Sequence, residues 1–263
     1  MTAPIASPPS ARFALRNPEL IIHLARRELE SAHRFTILGW AWPLARQLVQ
    51  LVVLVFVFSS VLDLGVANFP AFVFSGLVAW SWFATGVGAA TTTLLAQRHL
   101  VFQPRLPAAV LPIVAVAVPL VDVVMAFPVL LLVLAVSGSL SWTAIFFPLM
   151  LVVQFVLMCG IAWLTAGGSV FIRDLPNIVS LSLTLLFYLT PVFYSLRTVP
   201  DHLEWVLKLN PMTTVLEADR ALLLGSPFPN LAHLIGVVVF SILLAALGYR
   251  TFQRLEPGFV DEL

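Results

Sequence analysis

The sequence predicts an all-α integral membrane protein with six transmembrane helices. Of its 263 residues, 60% are hydrophobic and only 10% are charged. Soluble domains carry about 25% charged residues, so a soluble fold of this size could not bury so much apolar side chain. The charged residues also leave gaps that are long enough for helices across the hydrocarbon core of a bilayer.

These gaps place the predicted spans along the chain. Residues 123–172 carry no charged side chain, and this run is too long for one helix across a core of about 30 Å. Three turn-forming residues, Ser137-Gly138-Ser139, divide it. The spans are predicted at Ala41–Leu62, Ala71–Leu95, Ala108–Val136, Trp142–Phe171, Asn177–Tyr194 and Leu231–Tyr249.

The distribution of basic residues predicts that both termini are cytoplasmic. The N-terminal arm holds five arginines, and the other predicted inside segments hold five further basic residues. The outside segments hold only Arg197, Lys208 and Arg220, in a loop that also carries four acids. An excess of basic residues marks the cytoplasmic side of a membrane protein.

The N-terminal arm, residues 1–36, is predicted to carry an amphipathic helix. Asn17, Pro18 and Glu19 are typical of a helix start, and apolar residues then recur at helical spacing. Such a helix fits the headgroup plane of the membrane, and a solvated helix is the alternative. The arm lacks a long apolar core, so we expect no cleaved signal peptide. Residues 37–263 would form the membrane domain.

The sequence carries no recognisable catalytic motif. Its one lysine, Lys208, is not part of a phosphate-binding glycine-rich loop, so we expect no ATP hydrolysis by this chain. The five histidines do not form a zinc motif, and Cys159 is the only cysteine. A net charge of +1 argues against a nucleic-acid partner. We therefore predict no catalytic residue, no metal and no cofactor bound by the chain itself.

Asp122 is the one ionisable residue near the interior of a predicted span. An intramembrane carboxylate often marks a transport pathway or a buried partner. The alternative is a structural role, in which Asp122 bonds a hydroxyl or backbone group of a neighbouring helix.

Several short motifs in the chain carry a family resemblance. They include Leu38-Gly39-Trp40-Ala41-Trp42-Pro43 before the first span and Phe171-Ile172-Arg173-Asp174 after the fourth. The fifth span leads into Leu189-Thr190-Pro191-Val192-Phe193-Tyr194-Ser195, and Leu209-Asn210-Pro211-Met212-Thr213 follows. In this order they resemble the membrane subunits of ABC-2 type exporters, most of all the permeases for O-antigen, teichoic acid and lipid-linked galactan.

The resemblance implies a half-transporter in the cytoplasmic (inner) membrane of a bacterium. Two copies would form a channel for a lipid-linked or long-chain polysaccharide, and a separate ATPase subunit would bind ATP and Mg²⁺. An ABC-2 permease for a small hydrophobic drug or lipid is the alternative within transport. A membrane-embedded acyl- or glycosyltransferase is the alternative among enzymes, but it would need a cluster of Asp or His at one interface.

Three sets of residues are predicted to carry this function. Aromatic residues would line the channel, although an interfacial belt is the alternative for each Trp: Trp40, Trp42, Phe187, Tyr188 and Tyr194. Tyr188 is the strongest candidate, because a hydroxyl in the middle of a span needs a partner or a wet lumen. ATPase coupling is assigned to Arg26, Arg27, Arg98, His99, Phe102 and Arg105. The outer gate region, residues 195–230, would contain two short re-entrant helices, and the gate residues are Pro191, Asn210, Pro211, Met212, Glu217 and Arg220.

Overall fold

The computed structural model of the protein describes residues 23–29, 39–61, 68–103 and 106–263. Within these ranges all regular structure is helical, so the predicted all-α class is confirmed. Residues 23–29 are helical, a π-helical segment (Phe56–Val61) extends α1, and a 3₁₀ helix (Trp142–Phe146) leads into α6. The α-helices are α1 (Trp42–Val55), α2 (Phe69–Ala96), α3 (Arg98–Val101), α4 (Val110–Ala117), α5 (Leu120–Val136), α6 (Phe147–Phe171), α7 (Leu175–Leu189), α8 (Asp201–Lys208), α9 (Pro211–Leu224), α10 (Leu231–Leu255) and α11 (Phe259–Glu262).

Helix α2 is the centre of the bundle and contacts α1, α4, α5, α6, α7 and α9. Two side-chain hydrogen bonds connect α2 to its neighbours. Trp82 Nε1 of α2 donates to the Val116 carbonyl of α4 at 3.0 Å, and Gln154 Nε2 of α6 donates to the Ala79 carbonyl of α2 at 2.8 Å. Lipid tails are as apolar as leucine, so close packing and such bonds hold membrane helices together.

The α6–α10 pair depends on small residues at its contact. A Cβ atom added to Gly248 would collide with the Gly160 carbonyl, and one added to Gly160 would lie 2.7 Å from the Ala245 nitrogen. The two backbones therefore approach each other as closely as glycine allows.

Within the described part of the chain, four helical stretches are long and apolar enough to cross a membrane: Phe69–Ala96, Val110–Val136, Trp142–Phe171 and Leu231–Glu262. They correspond to the second, third, fourth and sixth predicted spans. The helix of the third is interrupted at Pro119, because proline has no N–H to donate to the carbonyl four residues earlier. At the first and fifth predicted spans, the apolar helices Trp42–Phe58 and Leu175–Leu189 are shorter.

The prediction that the fifth span is helical as far as Tyr194 is wrong at its C-terminal end. Helix α7 ends at Leu189, and Thr190 is extended, with φ −87° and ψ 137°. The residue before a proline avoids the helical region, so Pro191 explains this end. Tyr188 is therefore the penultimate residue of α7, and its predicted place in the middle of a span is also wrong.

Candidate functional site

The segment after α7 meets the start of α9, which brings together the two sequence motifs that follow the fifth span. Asn210 caps α9, because its Oδ1 accepts from the Met212 backbone N–H at 3.0 Å. Its Nδ2 donates to Thr190 Oγ1 at 2.7 Å. We call Thr190–Val192 with Asn210 and Arg220 the motif junction.

Arg220 is the second side chain, after Asn210, that connects α9 to the segment after α7, and it is only 4% exposed. Its Nη1 donates to the Pro191 carbonyl and its Nη2 to the Val192 carbonyl, each at 2.6 Å. Its Cζ lies 3.5 Å from the centroid of the Phe72 ring on α2, a cation–π contact. Burial lowers the pKa of Arg220 to about 9, while Asp219 and Glu217 oppose the shift. The side chain is therefore a cation at neutral pH.

Asp219, beside Arg220 on α9, is a buried carboxyl that sequence reasoning missed. It is 1% exposed, and neither carboxyl oxygen has a hydrogen-bond partner among the described residues. Burial raises its pKa well above the ordinary value, although the Arg220 charge opposes the shift. In the sequence, the only indication of this burial is that Asp219 lies beside apolar residues of α9, a helix that is buried in the structure.

The predicted gate residues fall in or near this junction. Pro191, Asn210 and Arg220 belong to it, and Pro211 and Met212 form the first turn of α9. Glu217 also lies on α9 and lines a cavity of about 940 Å³ between α9 and the segments that flank it. This space, which we call the outer cavity, is also lined by Arg197, Lys208, Phe228 and His233.

Three of the predicted lining aromatics come together at the end of α7. The ring centroids of Phe187 and Tyr188 are 5.3 Å apart, and Phe193 lies between 5.3 and 6.3 Å from the rings of Phe187, Tyr188 and Tyr194. Tyr188 is 61% exposed. Trp42 is exposed at the start of α1, away from this cluster, and the side chain of Trp40 lies outside the described part of the chain.

A groove of about 580 Å³ runs along α7 where it faces α1 and α2. We call it the α7 groove. Its polar lining consists of Gln50, Thr85, Thr92, Ser180, Thr184 and Tyr188. Side-chain hydroxyls and an amide can both donate and accept, so this surface can exchange hydrogen bonds with a ligand that carries many hydroxyl groups.

The predicted coupling residues lie around the loop between α2 and α4. Arg98, His99 and Phe102 are exposed on or just after α3, as are Arg26 and Arg27 in helical residues 23–29. The two segments touch, since Gln97 Nε2 donates to Glu28 Oε1 at 3.0 Å. Arg105 lies outside the described residues.

The start of α4 is also tied to α6 and to the C-terminal end. Trp163 Nε1 on α6 donates to the Ala109 carbonyl at 3.0 Å. Burial raises the pKa of the Glu256 carboxyl, and the nearby Ala108 backbone opposes the rise. Phe252 and Phe259, both fully buried, hold the C-terminal turn with their rings 5.2 Å apart.

Asp122 lies in the first turn of α5, directly after the interruption at Pro119, and is half-buried. A carboxylate in the first turn of a helix is favoured by the helix dipole. Among the described residues, no group of three His, Cys, Asp or Glu could hold a metal ion.

Comparison with known proteins gives the family. The ABC-2 type transporter family model matches residues 19–224. The O-antigen export system permease protein RfbA of Myxococcus xanthus is 31% identical over 247 residues, which cover 93% of this chain and 95% of that protein. A Klebsiella pneumoniae protein of the same name is 25% identical over 248 residues, with the same coverage of both chains. The chain therefore belongs to the ABC-2 type transporter family and is a membrane permease.

Proposed function

We propose that this permease exports a lipid-linked or long-chain polysaccharide across the cytoplasmic membrane of a bacterium, driven by a separate ATPase subunit. The relatives from Myxococcus xanthus and Klebsiella pneumoniae are named as O-antigen export permeases, and the match covers 95% of their length. Such broad coverage supports a shared class of cargo.

The observation that carries the proposal is the α7 groove, whose lining includes five hydroxyl groups and one amide in a chain that is 60% hydrophobic. A polysaccharide presents hydroxyl groups at its ring edges and apolar C–H faces. Thr85, Ser180 and Thr184 exchange hydrogen bonds with the hydroxyls as they pass, and the exposed Tyr188 ring contacts the apolar faces. Weak, repeated contacts of this kind let a polymer slide.

A second copy of the chain completes the conduit. Helix α7 buries none of its residues in the monomer, and Ile178, Leu181 and Leu185 are more than half exposed. The α7 groove is open on the same helix. A homodimer that pairs these faces encloses the two grooves as one channel.

The first and fifth predicted spans also cross the membrane in this proposal, which gives six spans with both termini inside. Helix α1 with its π-helical extension supplies twenty residues, about 30 Å of helix. Helix α7 has 15 residues, about 22 Å, and the extended segment 190–195 completes its crossing. Non-helical backbone is tolerated at membrane depth only where protein covers it, and Arg220 satisfies two of its carbonyls.

Helices α8 and α9 form the outer gate, within residues 195–230, and the membrane domain comprises residues 37–263. Because α9 holds the end of α7 through Asn210 and Arg220, movement of α9 changes the outer end of the channel. Residues 1–36 form the cytoplasmic arm.

The ATPase docks on the surface formed by residues 23–29 and the loop after α2. Its exposed side chains are Arg26, Arg27, Arg98, His99 and Phe102, with Arg105 assigned to the same surface from the sequence. Movement of this loop reaches α6 through Trp163 and the C-terminal end through Glu256. These contacts connect the proposed ATPase-docking surface to the helix bundle.

Deletion of the gene, in the bacterium that encodes this chain, tests the proposal. We expect the surface polysaccharide to disappear and its lipid-linked precursor to accumulate on the cytoplasmic side, with recovery when the wild-type gene is restored. A cell that keeps its surface polymer but becomes sensitive to a hydrophobic drug would contradict polysaccharide export and favour a drug permease.

A further inference from the structure

The outer cavity lies apart from the α7 groove and has the dimensions of a ligand site. Its volume of about 940 Å³ is within the range of about 300–1,000 Å³ that is typical of sites for small molecules. It lies among α9, the 3₁₀ turn at Leu196–Thr198 and the loop before α10. None of the residues that line the α7 groove lines this cavity.

Two charged side chains of opposite sign, Glu217 and Arg197, line this cavity without a direct partner in the described part of the chain. Among the described residues, neither the Glu217 carboxylate nor the Arg197 guanidinium has a hydrogen bond or ion pair. Glu217 is half-buried, and Lys208 and Arg220 attract its charge without forming an ion pair with it. Lys208 is instead paired with Glu204 at 2.7 Å. A partly buried polar group without a partner costs free energy, so a ligand that bonds it is favoured.

An aromatic ring also lines the outer cavity. Phe228 is 56% exposed at the wall of the cavity, between Pro227 and Pro229. The flanking prolines restrict the backbone, which lowers the entropy lost when a ligand packs on the ring. A carboxylate, a guanidinium and an exposed ring are together suited to a compact molecule with hydroxyl groups and an apolar face.

We propose that the outer cavity binds one sugar unit of the exported polymer, with Glu217 accepting from its hydroxyls, Arg197 donating to them and Phe228 packing on the ring face. This inference rests on the proposed export of a polysaccharide. A neutral sugar suits walls that carry charges of both signs, because Glu204 and Glu217 can accept from its hydroxyls while Arg197 donates to them. Phosphate, which the cations alone would favour, is the competing ligand in the test. The bound unit would keep an emerging chain from sliding back.

The test uses the purified full-length chain in nanodiscs and measures binding by saturation-transfer NMR. The probes are the methyl glycosides of galactose, glucose, mannose and rhamnose, and inorganic phosphate forms a separate arm. We expect at least one glycoside to bind, and Glu217→Gln and Phe228→Ala each to weaken that binding about tenfold. Trp205→Ala is the matched control, because Trp205 is a similarly exposed aromatic, at 63%, that does not line the cavity.

The possible results separate this inference from the proposed function. Unchanged unfolding temperatures in both variants would assign the loss of binding to the cavity. If no glycoside binds, if the control weakens binding equally, or if phosphate binds in their place, the inference is overturned, whether or not the chain exports polymer. Glycoside binding in a chain that exports no polysaccharide would instead contradict the proposed function and the link between the cavity and export.

Discussion

Arg220 Nη1 donates to the Pro191 carbonyl at 2.6 Å, across 29 residues of sequence, and this bond connects α9 to the segment that follows α7. The same guanidinium donates to the Val192 carbonyl and covers the Phe72 ring. One side chain on α9 thus contacts both α2 and the segment that follows α7. Even the space around it is restricted, since a Cβ on Gly76 would lie 2.8 Å from Arg220 Nη2.

Replacement of Arg220 by Met should destabilise the bundle. The carbonyls of Pro191 and Val192 would lose their donor, and each buried carbonyl left unsatisfied costs about 1–3 kcal/mol. We expect the unfolding temperature of the detergent-purified protein to fall by on the order of 5 °C or more. Arg197→Met, in the outer cavity, removes a cation that makes no such bond. An equal fall in both variants would show that loss of charge, not of the two bonds, is responsible.

Asn210 and Asn230 offer a matched pair of caps. Each accepts a backbone N–H two residues on, from Met212 at 3.0 Å and from Ala232 at 2.9 Å, but only Asn210 also bonds Thr190. Asn→Ala at either cap should cost about 1 kcal/mol, and Asn210→Ala should cost about 1 kcal/mol more. Chemical unfolding measures the free energy of unfolding of both variants. In a Thr190→Val background the extra cost should vanish; its persistence would disprove the coupling between the two motifs.

Asp219 should make the protein less stable as the pH rises. Its folded pKa is raised above the ordinary value of about 4, so the folded state holds the proton more tightly than the unfolded state. Its contribution is therefore fully present below pH 4 and is lost as the pH rises toward the folded pKa, by at most about 1.4 kcal/mol per pH unit. Asp219→Asn should remove this decline in a series of unfolding temperatures from pH 4 to 8. Parallel curves for the two proteins would mean that Asp219 does not titrate in this range.

Tyr188 should matter for passage of the polymer and little for stability, because its ring is 61% exposed in the α7 groove. We expect Tyr188→Ala to slow export severalfold and Tyr188→Phe to preserve it, since the ring face supplies the contact. Trp142→Ala removes an exposed aromatic outside the groove and serves as the control. Export by Tyr188→Ala at the wild-type rate would refute the lining role.

The sequence predicted the long apolar helices well, because lipid exposure requires uninterrupted apolar residues whatever the neighbours are. The interruption at Pro119 and the end of α7 before Pro191 were also readable from the missing proline N–H and from the restriction on the preceding residue. The charge-free gaps alone do not define these boundaries.

Contacts between residues far apart in the chain could not be predicted from the sequence. Arg220 was predicted as a gate residue, but its bonds to carbonyls 28 and 29 residues away depend on how α9 folds back. Asp219 could not be distinguished in the sequence from Glu204 and Glu217 of the same loop, which are only half-buried, because its full burial comes from neighbouring helices. The hydroxyls of the α7 groove come from two helices, α2 and α7, and Gln50 of α1 adds an amide, so no single stretch of sequence displays them together.

Reconstitution into proteoliposomes tests the central claim most directly, because it measures ATP turnover and polymer movement for the same protein. The permease alone should hydrolyse no ATP and move no lipid-linked polysaccharide. With a cognate ATPase subunit added, both activities should appear together. ATP turnover or polymer transfer by the permease on its own would contradict the account.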